Sequence, residues 1–243
     1  MPGEYGALLA EARLEVPGAT AAQIQVDTPR SFSALPDELQ PGESSKAAAE
    51  DALFNVLVAA EWCHGTAARA SLGATYTQGM NFLAALCVAD LWCGADGDGE
   101  ELAFWLFDLV LAGVLGPRFF AEWPPLLGYH AAAALLRAIA PGACPLLAAA
   151  LGEEYEDVVD MLGCRYMVPC FIGLLPCGVL LALWDELLRE GEAKDSFPQR
   201  VLYVWFLAVL QRAEAPLAAA AAKLPPGEPR APAAFQGAMA VAQ

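Results

Sequence analysis

Apolar residues recur along this chain at spacings of three and four residues, in one segment after another. That spacing places side chains on one face of an α-helix, whereas the strict alternation that marks a β-strand is rare. The pattern predicts an all-α fold, and the lack of a fixed repeat argues against a regular solenoid. Helices are expected at residues 4–14, 45–63, 78–93, 99–114, 118–121, 126–139, 144–151, 153–162, 165–174, 177–190, 197–212 and 214–223.

Residues 1–223 are expected to form a single multi-helix domain. Proline and glycine pairs such as Pro17-Gly18 and Pro141-Gly142 separate the helical segments, as is typical of turns. Residues 224–243 are rich in Ala and Pro and lack the apolar spacing of the preceding segments. These last residues are expected to form a disordered tail.

One stretch, Tyr166 to Trp184, runs for nineteen residues without a charge, which is about the length that spans a bilayer. Pro169, Gly173 and Pro176 would each interrupt one continuous helix. Two interpretations follow from hydropathy: a membrane span, or a pair of buried helices joined at Pro176. In the second, Pro169 falls inside the first helix and is expected to kink it.

The charge balance disfavours binding to polyanions. The formal net charge is −16, from 29 acidic and 13 basic residues. Nucleic acids and anionic lipid surfaces both require clustered Lys and Arg, so direct binding to either is not expected.

The cysteines and the start of the chain indicate a cytosolic setting. Seven cysteines lie mostly inside apolar runs and never at C-x-x-C spacing, so they are expected to be reduced core residues. The first residues lack a basic segment followed by an apolar one, so no secretory signal is expected.

The usual signatures of an independent enzyme or a metal site are missing from the sequence. It contains no P-loop, H-E-x-x-H or G-x-S-x-G motif. The loop from Asp96 resembles half of a calcium loop, but its sixth position is Glu101 instead of Gly, so a solvated loop capping the next helix is expected. The acidic residues between Glu153 and Asp160 are interpreted as a solvated helix face.

The segment from Ile24 to Arg30 is a candidate phosphate-directed site. Ile24 and Asp27 lie one helical turn apart, and Pro29 obstructs continuation of that helix, so Arg30 is expected in a turn. A carboxylate three residues earlier can hold the guanidinium while it faces a phosphate. Taken by itself, the commoner explanation is a surface ion pair with Asp27.

Gln78 lies at or just before the first turn of the helix that follows it. Free backbone N–H groups there favour anions, and Gly79, lacking a Cβ, would let another molecule's backbone approach. A carboxamide both donates to and accepts from water, as orienting a nucleophile requires. Taken by itself, a glutamine capping its own helix is the commoner case.

Together the two segments resemble the signatures of the TBC domain, the catalytic module of Rab GTPase-activating proteins. The family patterns are I-x-x-D-x-x-R and Y-x-Q, the latter usually continuing as G-M-N. They are matched by Ile24, Asp27 and Arg30, and by Tyr76, Gln78, Gly79, Met80 and Asn81. A third pattern is matched by Tyr166, Phe171, Leu175-Pro176 and Trp184-Asp185. Since the family packs this stretch as internal helices, the resemblance disfavours the membrane span.

The resemblance implies a TBC-type domain that activates GTP hydrolysis by a Rab-family GTPase in its GTP-bound form. Arg30 would be an arginine finger, and Gln78 would replace the GTPase's own glutamine in positioning water. Asp27 would steady Arg30, Tyr76 would contact the partner or brace its loop, and Ile24 and Gly79 would be supporting motif residues. No cofactor or metal of its own is implied, because the partner binds GTP and Mg²⁺. The chain would be a GTPase activator with no independent substrate.

The resemblance also implies a cytoplasmic location, including the periphery of endomembranes, and a role in vesicle trafficking. Membrane contact would be made only through the Rab. A non-catalytic Rab-binding scaffold of the same fold is the alternative; such a scaffold would typically have lost one finger, and both are present.

The chain departs from the family pattern in several places, including the segments from Ser31 to Ser45 and from Ala70 to Thr75. A front helix with a basic, Gly-Pro and Trp-containing signature is missing, so a fragment or a shortened variant is expected. Tyr166 stands where a Trp is usual, and Pro169 falls inside an expected helix.

Overall fold

The computed structural model describes residues 4–65, 75–92, 99–116, 119–120, 126–191 and 199–223. These residues form helices and turns and contain no strand, which confirms the all-α prediction. The α-helices are α1 Glu4–Glu15, α2 Gly18–Ser31, α3 Lys46–Gly65, α4 Met80–Trp92, α5 Gly99–Leu109, α6 Leu127–Ala143, α7 Pro145–Leu151, α8 Tyr155–Met167, α9 Cys177–Gly191 and α10 Gln199–Ala222. Short 3₁₀ helices span Phe32–Ala34, Asp37–Leu39 and Gly152–Glu154, and a π-helical turn spans Val110–Val114.

The chain divides into two compact units, residues 1–128 and 129–243. In the first unit, α3 packs against α1, α2, α4 and α5. Its apolar residues Leu53, Val56 and Leu57 are buried because they face these neighbours at helical spacing. The last turn of α2 and the start of α4 both pack within this unit.

In the second unit, α10 packs against α7, α8 and α9. Its buried stripe contains Leu202, Phe206, Leu210, Ala213 and Leu217, at steps of three and four residues. The predicted break between two helices at residue 213 is therefore wrong. Packing of the continuous stripe outweighs the loss of one backbone hydrogen bond at Pro216, which lies inside α10.

α10 is also long and apolar enough to cross a membrane, judged by length and composition alone, with 24 residues and a mean hydropathy of 1.2. The stretch that first suggested a span, Tyr166 to Trp184, is not one helix. α8 ends at Met167, turns cover residues 168–174, and α9 begins at Cys177.

The predicted helix at residues 165–174 is wrong beyond Met167. Pro169 does not kink this helix, because α8 ends two residues before it. The following turns place Cys170 and Phe171 in the left-handed region, with φ of 46° and 65°. Both residues are fully buried, so packing holds the backbone there.

The prediction that Arg30 lies in a turn is also wrong. α2 continues through Pro29 to Ser31, so Arg30 is in its last turn. Two side chains reinforce this turn: the Thr28 hydroxyl donates to the Ile24 carbonyl at 2.8 Å, and the Ser31 hydroxyl donates to the Asp27 carbonyl at 2.8 Å. The burial of Ile24, Asp27 and Ser31 stabilises a helical turn that Pro29 alone would weaken.

Other predictions fall partly or wholly outside the described residues. They are the loop from Asp96, part of the helix at 118–121, Cys93, and the tail at 224–243. Among the six described cysteines none forms a disulfide, but Cys164 is exposed and so is not a core residue. The solvated face between Glu153 and Asp160 is confirmed, with Glu153, Glu156 and Asp157 exposed.

Candidate functional site

The carboxylate of Asp27 is the centre of a buried polar cluster in the first unit. Asp27 is completely buried, yet both of its oxygens accept hydrogen bonds. Oδ2 accepts from Tyr76 at 2.7 Å and from Gln23 at 3.0 Å, and Oδ1 accepts from the guanidinium of Arg30. These three partners compensate for the loss of water around the carboxylate.

Arg30 turns outward from this buried anchor. Its side chain is 51% exposed, although one guanidinium nitrogen is held by Asp27. The guanidinium has further N–H donors beyond the one that Asp27 accepts. Arg30 is thus a fixed, solvent-facing cation at the end of α2, available to an external anion.

Tyr76 connects the α2 anchor to the segment before α4. Its hydroxyl donates to Asp27, and its backbone N–H donates to Glu61 Oε2 at 2.6 Å. Of the two roles expected for Tyr76, partner contact or bracing the loop, the geometry supports bracing. Ile24, on the buried face of α2, is fully covered and contributes only packing.

Gln78 and Gly79 form the turn that precedes α4. Gln78 is exposed, whereas Gly79 is buried. The expectation that Gly79 admits another molecule's backbone is therefore wrong. Gly79 is needed because its φ is 117°, a conformation that side-chain-bearing residues rarely adopt.

Two of the backbone N–H groups at this turn are already bonded within the chain. The N–H of Gly79 donates to Asn81 Oδ1 at 3.0 Å, and that of Met80 donates to the Thr77 carbonyl at 3.0 Å. Both groups are thus used within the chain. The Gln78 side chain, which is exposed, is a polar group that this turn offers to a partner.

Asn81 joins the Gln78 turn to α2. While its Oδ1 accepts from Gly79, its Nδ2 donates to Ser31 Oγ at 2.8 Å. Ser31 in turn donates to the Asp27 carbonyl, and both Ser31 and Asn81 are completely buried. We call Asp27, Ser31, Tyr76 and Asn81 the polar clamp, since they tie the Arg30 turn to the Gln78 turn.

The charge state of the clamp follows from its hydrogen bonds. Burial acts to raise the pKa of Asp27, but its three hydrogen bonds and the charge of Arg30 outweigh it, so the pKa lies below its ordinary value. Burial, together with the Asp27 bond and charge, raises the pKa of Tyr76. At neutral pH, Asp27 is an anion and Tyr76 a neutral donor.

The sequence alone did not assign roles to Ser31, Asn81, Glu61 or Gln23. A signal was present for Asn81, which is a polar residue at the head of the helix MNFLAALCVADLW, where Asp90 is the only other polar residue. A buried polar side chain in such a run requires hydrogen-bond partners. Those partners come from distant parts of the chain, so their identity cannot be read from spacing.

An open groove in the first unit lies apart from the clamp. The groove, of about 600 Å³ where α1, α2 and α3 meet, is lined by Ala21 and Gln25 of α2, but by no clamp residue. In the part of the chain that the structure describes, no group of three His, Cys, Asp or Glu side chains could hold a metal ion.

Comparison with known families gives one match over most of the chain. The RabGAP-TBC model, described as the Rab-GTPase-TBC domain, matches residues 10–218. This range contains Arg30, Gln78 and the whole polar clamp, and it extends across both compact units.

Curated proteins similar to this chain carry the same domain in their names. Growth hormone-regulated TBC protein 1 of Homo sapiens is 28% identical over 168 residues, covering 69% of this chain and 44% of that protein. Growth hormone-regulated TBC protein 1-A of Danio rerio is 29% identical over 197 residues, covering 78% of this chain and 47% of that protein. The chain thus spans about half the length of these relatives. No solved structure matches it significantly.

Proposed function

The chain belongs to the Rab-GTPase-TBC domain family, and we propose that it accelerates GTP hydrolysis by a GTP-bound Rab-family small GTPase, to which it lends Arg30 and Gln78. The observation that carries the proposal is the polar clamp, which ties two exposed side chains of suitable chemistry to one buried anchor. The partner would bind GTP and Mg²⁺, and this chain would have no separate substrate.

Arg30 supplies the charge that the reaction lacks. Transfer of the γ-phosphoryl group to water develops negative charge on the phosphate oxygens, and an arginine supplied in trans is worth about 10³ to 10⁵ in rate. Asp27 holds the guanidinium in place before the partner arrives, which reduces the ordering required when the complex forms.

Gln78 supplies the polar group that orients the attacking water. Its carboxamide accepts from one O–H of the water and donates elsewhere, so it fixes the water in line with the phosphate without taking a proton. The exposed turn leaves this side chain free to enter the partner, while Asn81 fixes the backbone beneath it.

Single-turnover hydrolysis by a panel of purified, GTP-loaded Rab proteins tests the proposal. At least one Rab is expected to be accelerated by the wild-type chain. Arg30→Ala should remove about 10³ or more of that acceleration. Gln78→Ala should remove about 10² or more, as for other preorganised polar groups. Arg30→Lys should also be strongly impaired, because an ammonium cannot replace the planar guanidinium fork.

The exposed ion pair of Arg200 and Glu190 provides a control arginine on α10. Arg200→Ala should leave the acceleration unchanged. Acceleration that survives both finger substitutions would contradict the mechanism. Binding of a GTP-loaded Rab without acceleration would instead support the scaffold alternative.

We propose a cytoplasmic location with membrane contact only through the Rab, as expected for a regulator of vesicle trafficking. Cell fractionation tests this: the chain should appear in the soluble fraction and, when its Rab is active, be released from membranes by salt. Extraction that requires detergent would contradict it, and α10 would then be the segment to examine.

A further inference from the structure

α2 has two faces of different character. The buried residues are Ile24, Asp27, Thr28 and Ser31, and the exposed stripe contains Ala19, Ala22, Gln23, Val26, Pro29 and Arg30. With about 100° between successive residues, Val26 lies near the middle of the exposed stripe, one helical turn before Arg30. We call these six exposed residues the α2 stripe.

Val26 is a largely exposed apolar side chain on this stripe. Its exposed fraction is 63%. Other large apolar side chains are also exposed, including Leu14 on α1 and Val204 on α10. Val26 differs from these in sharing a helix face with Arg30.

The charge of the α2 stripe is equally distinctive. The whole chain carries 29 acidic residues and a net charge of −16, yet the stripe contains no acid and Arg30 is its only charge. The one acid on this helix, Asp27, is buried and paired. An anionic nucleotide can therefore approach along the stripe without facing an exposed carboxylate of α2.

We propose that the α2 stripe is a docking face for the GTP-loaded Rab, with Val26 as its central apolar contact. This inference rests on the proposed function. If Arg30 reaches the nucleotide inside the partner, then Val26, only about 6 Å away along the helix axis, is brought against the surface that borders the nucleotide. The partner surface that fits is apolar and uncharged opposite Val26.

Arg30 and Val26, on one helix, should affect different kinetic quantities. Arg30 acts on the phosphate as charge develops, so it affects kcat. Val26 is buried equally in the ground and transition states of the complex, so it affects only the strength of association. Val26 is thus a residue for partner affinity and selectivity.

The test compares Val26→Glu and Val26→Ala with the wild-type chain in the same single-turnover assay, titrating the chain against the accelerated Rab. Val26→Glu should raise the half-saturating concentration about tenfold or more, because an unpaired carboxylate is buried against the partner. Val26→Ala should raise it about two- to tenfold, as for loss of a buried apolar contact. In both variants the maximal rate should stay within about twofold of wild type.

Val204→Glu is the matched control, because it makes the same change at a 55% exposed valine on α10, in the other unit. It should leave the half-saturating concentration unchanged, and all variants should keep the wild-type melting temperature. A half-saturating concentration for Val26→Glu equal to that of wild type overturns the docking face while the proposed function stands.

A separate arm measures equilibrium binding to Rab proteins loaded with a non-hydrolysable GTP analogue. If the wild type binds without accelerating hydrolysis and Val26→Glu weakens that binding, the catalytic proposal fails and the docking face stands. If a Rab binds with equal affinity to wild type and Val26→Glu, the docking face fails whatever the rate. If no Rab binds, both fail.

Discussion

The polar clamp and the segment from Tyr166 to Trp184 both carry family patterns. Buried hydrogen bonds hold the clamp, whereas buried aromatic rings pack the second segment. The clamp buries Asp27, Ser31 and Asn81, whose polar groups satisfy one another. The second segment buries aromatic rings: Tyr166 lies 5.5 Å from Phe171 and 6.1 Å from Phe206, between ring centroids. Within this segment the Trp184 indole N–H donates to the Cys170 carbonyl at 3.2 Å.

This difference separates residues that set the geometry of chemistry from residues that set stability. Hydrogen bonds are directional, so the clamp fixes the Arg30 guanidinium and the backbone turn that carries Gln78. Apolar packing is less directional and stabilises in proportion to the area buried. Substitutions in the clamp should therefore reduce the maximal rate, whereas substitutions in the aromatic segment should unfold the chain and spare the rate of each folded molecule.

The largest effect is expected at Phe171. Phe171→Ala should lower the free energy of unfolding by about 3 to 5 kcal/mol, because it removes a fully buried ring and leaves a cavity. Urea unfolding measures the loss. In the GTPase assay, the maximal rate per folded molecule should match wild type, and a lower rate for the folded fraction would break the comparison.

At Asn81 a smaller loss of stability is expected, but, unlike at Phe171, it should be accompanied by a loss of the maximal rate. Asn81→Leu leaves Gly79 N–H without its acceptor, which should cost about 1 to 3 kcal/mol of stability. It should also lower the maximal rate about tenfold or more while changing the half-saturating concentration little, because Gln78 loses its fixed backbone.

Asn55→Leu is the matched control for Asn81. Asn55, like Asn81, joins two distant groups through its carboxamide: it accepts from Arg13 at 2.8 Å and donates to Glu100 at 3.3 Å, away from both fingers. Asn55→Leu should lower the free energy of unfolding without lowering the maximal rate. Equal losses of rate in the two variants would mean that the clamp has no special role in positioning.

Tyr76→Phe removes one of the hydrogen bonds to Asp27 and should cost about 1 kcal/mol near pH 7. Because the folded pKa of Asp27 is lowered, its ionised form stabilises the fold above the unfolded value of about 3.9, and this is lost as pH falls through the folded pKa. The variant raises that folded pKa. The stability gap between wild type and Tyr76→Phe should thus be full near pH 7 and shrink below about pH 4, and an unchanged gap would contradict this.

The smallest effect is expected for the same change at Tyr166. Its hydroxyl is buried and has no hydrogen-bond partner among the described residues. Tyr166→Phe should therefore leave stability unchanged or raise it by up to about 1 kcal/mol, the opposite sign to Tyr76→Phe. Thermal unfolding of the two variants side by side makes the comparison. If Tyr166→Phe lowered stability as much as Tyr76→Phe does, the Tyr166 hydroxyl would have to be hydrogen-bonded.

Most of the helices, though not α2, and the family could be predicted from the sequence because both depend on local patterns. Apolar spacing located α1, α3, α4, α7 and α9 to within about two residues, in the range expected of such boundaries. The paired motifs around Arg30 and Gln78 indicated the family that the match at residues 10–218 confirms.

Proline was the main source of error, because tertiary contacts decide whether a helix tolerates it. Pro29 and Pro216 both lie inside helices whose buried stripes continue past them. Pro169 was expected inside a helix and lies in a turn instead. The clamp was not predictable for a related reason: the bond from Asn81 to Ser31 joins residues fifty positions apart.

The positive φ of Gly79 has a consequence for the entropy of complex formation. Since the backbone of its turn is already restricted in the free chain, bringing Gln78 into a partner freezes only side-chain rotation, at a cost of about 1.5 to 2 kcal/mol. Ordering even one further backbone residue would add about 1 to 2 kcal/mol. A substitution such as Gly79→Ala would loosen this turn. The same side chains would then be presented in more conformations, so a smaller fraction of encounters with the partner would be productive.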